Sequence, residues 1–140
     1  MSLTQLSAML DASAQPFLAD FASTRFVQLY LYVHRVDGLE PGVYRHWPDT
    51  GELEIVRGRC VAFSMIADID RAVRAHGDRG YRYVHFEAGA IGQRLYLAAE
   101  ALGLGGTGIG AFFDDEVHRY LNLARDQGQV VYHFAIGYGG

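Results

Sequence analysis

The chain has 140 residues, half of them hydrophobic and a fifth charged, with twelve basic side chains against sixteen acidic ones. A single domain with a sizeable core is the simplest organisation at that length, spanning residues 1–140. A net charge of −4 excludes the basic footprint of a general nucleic-acid binder. Cys60 is the only cysteine, which rules out an intrachain disulfide and a cysteine-rich metal centre.

No apolar run reaches the ~18 residues that a membrane span needs. Residues 1–25 lack the basic start and apolar core of a secretion signal, so a cytoplasmic location is expected. Residues 3–15 place Leu3, Leu6, Met9 and Leu10 at helical spacing, which predicts a short amphipathic helix ended by Pro16. The connection over 17–25 has no clear type. Residues 26–36, FVQLYLYVHRV, are rich in β-branched and aromatic side chains and predict a central strand covered on both faces.

Leu39-Glu40-Pro41-Gly42 and Pro48-Asp49-Thr50-Gly51 are turn sequences that bracket a strand over 43–47 and precede another over 52–56. Together these predict a hairpin with one wet face. A short link, Arg57-Gly58-Arg59, leads into a buried-type strand over 60–67. Asp68 is a candidate cap for a helix over 69–76 that Gly77 ends. A long helix is expected over 83–103, with Ala88, Gly89 and Gly92 forming a row small enough for another backbone to approach. Asp114 is the expected cap of a short helix reaching about Leu123, and 129–137 predicts a last strand. Helices and strands interleave irregularly around an antiparallel hairpin, so the fold class is α+β.

The glycine-dense stretch from Gly103 to Gly110 is the strongest candidate for ligand contact. Glycine leaves main-chain amides uncovered, so a flat or anionic ligand can approach them. Its Gly106-x-Gly108-x-Gly110 follows a helix, whereas a dinucleotide fingerprint follows a strand and opens a helix. A helix C-cap passing tightly into a strand explains the same glycines without a ligand.

His34, His46, His85 and His133 read as surface or hydrogen-bonded core residues, with no metal-ligand spacing among them. His76, before the Gly77-Asp78-Arg79-Gly80 turn, fits a helix end or a catalytic role equally. Glu87 complements a helix start. Arg79, Arg82 and Arg94 are candidates for an anionic group or for solvated surface pairs, and Cys60 reads as buried and inert.

Three ordered segments, LYLYVHRVDGLEPGVYRH, GDRGYRY and EAGAIGQRLYLAAEALGLGGTGIGAFFDDEV, resemble the flavin-dependent nitroreductase superfamily. They are most similar to the branch containing the azoline dehydrogenases of thiazole and oxazole peptide biosynthesis. The resemblance implies a nitroreductase-like fold that forms a homodimer, with FMN at the subunit interface and NAD(P)H or a substrate as hydride donor. It also implies a small-molecule or peptide substrate. On this resemblance Gly108, Ile109, Gly110 and Ala111 contact the flavin through the backbone, with Phe112 packed beside it. Arg79 and Arg82 hold an anionic group, and His76 is a candidate proton donor. Residues 1–25 contain no arginine- and serine-rich phosphate grip, and Ala75-His76 stand where the azoline dehydrogenases carry Lys-Tyr. Two readings remain open: an FMN-dependent oxidoreductase domain, whole or part of a longer flavoprotein, or a flavin-free module for dimerisation or peptide binding.

Overall fold

A computed structural model describes residues 1–16, 19, 25–57 and 62–137. Helix α1 (Leu3–Ala14) opens on a reciprocal cap: Gln5 N donates to Ser2 Oγ at 3.1 Å, and Ser2 N donates to Gln5 Oε1 at 2.9 Å. Its apolar stripe buries Leu6, Met9 and Leu10. Strand β1 (Val27–Val33) is buried on both faces, as a central strand should be, and is shorter at each end than the expected 26–36. It pairs antiparallel with β2 (Gly42–Trp47) on one side and β4 (Ala62–Ala67) on the other. Strand β3 (Glu52–Arg57) completes the hairpin with β2, turning through Gly51 at φ 72°. Cys60 and the start of the expected 60–67 strand lie outside the described residues.

Helix α2 (Ile69–His76) matches its expected bounds. Asp68 Oδ1 accepts from Arg71 N at 2.9 Å, and Gly77 closes the helix at φ 62°. Helix α3 (Arg79–Ala101) starts four residues earlier than the expected 83. The turn-like Gly77–Gly80 sequence hides this start because Gly80 serves helix packing: a Cβ there would stand 2.2 Å from the Ala72 carbonyl oxygen. At its other end, Leu104 N bonds Ala99 O and Gly103 N bonds Glu100 O, a Schellman closure with Gly103 at φ 70°.

The glycine stretch passes from the helix closure directly into a strand. Residues Gly105–Ile109 form strand β5, paired antiparallel with β6 (Gln129–Gly137). Helix α4 (Asp114–Leu121) is capped at Phe113 rather than Asp114, whose carboxylate instead joins Asp115 and Glu116 in the first turn.

The sheet runs β3-β2-β1-β4-β6-β5, antiparallel throughout, which makes β5 an edge strand. One face carries α1 and α3 and holds the larger core, including Leu31, Met65, Leu95 and Phe134. The other face carries α4 over Tyr30, Val43, Ile66 and Val130. This layering sets the long helix against the glycine edge and leaves the exit of β5 uncovered. The class is α+β, as the alternation of elements implies.

Candidate functional site

Strand β5 carries the glycines because large rings lie against it. A Cβ on Gly106 would meet Phe134 Cζ at 2.9 Å, and one on Gly108 would meet Tyr132 Oη at 1.7 Å. The Tyr132 ring also lies against Gly92 of α3, where a Cβ would stand 3.1 Å from the ring. Gly108 N donates to the Tyr96 hydroxyl at 2.9 Å, so this amide is already engaged. Gly110 differs, since a Cβ there meets nothing within 4 Å. No described residue accepts from the amides of Gly110 or Ala111, and both residues are exposed. Phe113 stands 78% exposed beside them. The open main chain is therefore at the exit of β5 and not within it.

Below that exit runs a hydrogen-bonded line that spacing does not reveal. His133 on β6 faces Ile109 of β5 across the ladder, and its ring meets Phe112 edge-on at 4.5 Å between centroids. His133 Nδ1 lies 2.8 Å from Ser64 Oγ on β4, which lies 2.7 Å from the Tyr32 hydroxyl on β1. His133 Nε2 is buried with no described partner. Burial pushes the imidazole pKa down, opposed by the Phe63 backbone and the charge of Asp114, and so favours the neutral ring. Beyond Phe112 and Phe113 a polar groove of about 720 Å³ continues along α4, past His118, Arg119 and Arg125. Arg125 is paired there with Asp115 at 3.2 Å, both side chains largely in solvent.

The remaining candidates lie elsewhere. His76, the last residue of α2, meets Phe26 and the α3 residue Tyr83 edge-on. Arg79 and Arg82 are exposed on the first turns of α3, whereas Gly108 is reached from Tyr96. At about 1.5 Å per residue, the fourteen positions between Arg82 and Tyr96 span roughly 21 Å. Within one protomer His76, Arg79 and Arg82 do not join the Gly108–Phe112 segment. Arg94 donates to the main-chain carbonyls of Gln15 and Pro16, tying the end of α1 to α3.

Glu87 has a structural role. Its buried carboxylate accepts from Phe26 N at 2.9 Å and Val27 N at 3.3 Å, capping the start of β1. Burial pushes its pKa up, opposed by those two amides and by Arg25 and Arg71. The Ala88–Gly89–Gly92 row splits in function: Ala88 is buried, Gly92 receives Tyr132, and Gly89 faces open space. Among the described residues no cluster of His, Cys, Asp or Glu could hold a metal ion, and no helix is long and apolar enough to cross a membrane.

The family model of the nitroreductases matches residues 6–138. The chain belongs to the nitroreductase family. It is 34% identical over 116 residues to a protein assigned as a nitroreductase in Methanocaldococcus jannaschii, covering 69% of this chain and 59% of the relative. Among solved structures, a protein assigned as a nitroreductase from Anabaena variabilis superposes over the whole chain with a TM-score of 0.89 at 32% identity. The match covers 34% of that longer chain, so this nitroreductase-family chain spans less than two thirds of both relatives. The E. coli microcin synthetase complex with truncated pro-MccB17 bound also superposes over the whole chain, with a TM-score of 0.79 and coverage of 65% of its own chain. At 18% identity that likeness speaks for the fold alone.

Proposed function

We propose that this chain is the nitroreductase-type domain of an FMN-dependent oxidoreductase, acting as a homodimer on a small-molecule or peptide substrate. The observation that carries this reading is the pair of unengaged, exposed amides at Gly110 and Ala111, flanked by Phe112 and Phe113. Flat apolar edges beside free N–H donors suit a planar heteroaromatic ring, so these residues fit the flavin. Bound FMN would supply hydride chemistry through N5, with NAD(P)H or a substrate as donor. The protein's part is to hold the ring and direct N–H dipoles at it. Ile109, 36% exposed at the strand end, extends the same surface.

Phosphate binding is less well served within one protomer, since Arg79 and Arg82 lie far along α3. A second copy would bring its own α3 start into play. The outer side of α3 supports such a partner: Phe86 and Leu97 are 57% and 62% exposed, with Gly89 open between them. Within the family we assign the chain nearest the azoline-dehydrogenase branch on its ordered segments, with Ala75-His76 marking a different proton-handling arrangement. His76 remains the candidate donor only across such an interface. A cytoplasmic location accompanies this reading.

The test is an FMN titration of the protein, followed by flavin fluorescence and absorbance. Quenched, co-migrating flavin is expected, and Gly110→Val should weaken it without lowering the melting temperature. A folded dimer that leaves FMN free at high micromolar concentration refutes the proposal. That outcome would leave a flavin-free dimerisation or peptide-binding module.

A further inference from the structure

His46 lies on the α1 side of β2 and is 3% exposed. Its main-chain carbonyl accepts from the Gln28 side chain, but no described residue donates to or accepts from its ring nitrogens. Its ring nitrogens are not among the fully enclosed polar atoms that lack a partner, so the edge of the imidazole is reached from the space beside it. The residue lines a cavity of about 270 Å³ between α1 and the β2–β3 hairpin. Leu6, Leu10 and Leu53 form apolar walls, and Ser7 and Asp11 stand on the exposed side of α1.

We propose that this cavity binds a small neutral molecule of the phenol class, its ring against Leu6, Leu10 and Leu53 and its hydroxyl on His46. An apolar cavity of ~150 Å³ accepts a benzene ring, so the observed volume has room for a ring and a substituent. Pockets of this kind, apolar with a few converging polar groups, are the usual form of a small-molecule site. The charges around it select a neutral guest. The charge of Arg25 acts on His46, disfavouring a cation there, and Asp11, which lines the cavity, disfavours an anion. Burial, followed by Arg25, pushes the His46 pKa down, so the ring is neutral, with one nitrogen donating and the other accepting. A hydroxyl has the same dual character.

The site is separate from the glycine edge. Four strand intervals lie between β2 and β5, roughly 19 Å at about 4.8 Å each. The inference therefore does not depend on flavin binding.

Phenol and toluene titrated onto the full chain, followed by protein NMR, provide the test. Phenol should bind saturably with a dissociation constant on the order of 1 mM, the range open to a ligand of so few atoms. Its shifts should centre on α1 and the hairpin, and toluene should bind about tenfold more weakly for want of the hydrogen bond. His46→Leu should erase that preference. Ser7→Trp, at an exposed position where folding is not at risk, should block both ligands. Absence of saturable binding, shifts centred on β5, or an unchanged phenol preference in a folded His46→Leu protein would each overturn the proposal.

Discussion

Gly80 offers a test in which two physical effects predict opposite signs. By helix propensity alone, Gly80→Ala in the first turn of α3 should stabilise the protein by up to about 1 kcal/mol. Packing predicts the reverse. An ideal Cβ would lie 2.2 Å from Ala72 O, 2.4 Å from Ala72 C and 2.7 Å from Val73 N. Ordinary carbon–oxygen contact begins near ~3.3 Å, so α2 and α3 must part by roughly 1 Å. These are backbone atoms of a helix whose Ala72 is fully buried, so no rotamer change relieves the clash. Overpacking typically costs about 1–3 kcal/mol, and a backbone obstacle belongs at the upper end.

The net expectation is a loss of roughly 2 kcal/mol, which at this length lowers the melting temperature by about 5–10 °C. Gly89→Ala is the matched control for packing within one protomer, exposed in the same helix with nothing within 4 Å of its Cβ, and in the monomeric protein it should be neutral or stabilising. Thermal and urea denaturation of the two variants settle the matter. A Gly80→Ala protein as stable as the parent would refute the account of why α3 begins where it does.

The same logic separates Gly108 from Gly110. Gly108→Ala drives a methyl into Tyr132, whose ring is also packed on Gly92, and should cost about 1–3 kcal/mol, whereas Gly110→Ala should stay within about 0.5 kcal/mol. Equal urea midpoints would sink the packing reading. Glu87, whose pKa burial raises above 4.5, holds its proton more tightly folded than unfolded. Its contribution is therefore fullest below that pH and is lost as pH rises through the folded value, and Glu87→Gln should flatten the stability–pH curve there. His133 has the opposite sign. Its pKa is lowered from 6.5, so stability is fullest above that value and falls on acidification, and His133→Gln should remove that part of the acid loss. Denaturation midpoints measured across pH 4–8 check both.

What the amino-acid order made legible was mostly local. Asp68 and Gly77 bound α2 by chemistry confined to their own turn, and the Pro-Gly turns set the β2–β3 hairpin. What escaped was decided at long range. The start of α3 depends on Ala72, in another helix, and GGTGI becomes a strand because β6 pairs with it, although it lacks the alternation that marks strands. The line from Tyr32 through Ser64 to His133 joins residues 32 and 69 positions apart, so only the sheet order brings them together.

The glycines show how such a signal divides. A missing Cβ reports that something comes close to the main chain, without saying whether it is a ligand or the protein itself. At Gly106 and Gly108 it is the protein, through Phe134 and Tyr132, and the Gly108 amide is spoken for by Tyr96. At Gly110 the same absence faces open space. On the proposed flavin reading, the ligand-facing part of the motif contracts to the few residues where β5 leaves the sheet, while Gly106 and Gly108 seat the Phe134 and Tyr132 rings.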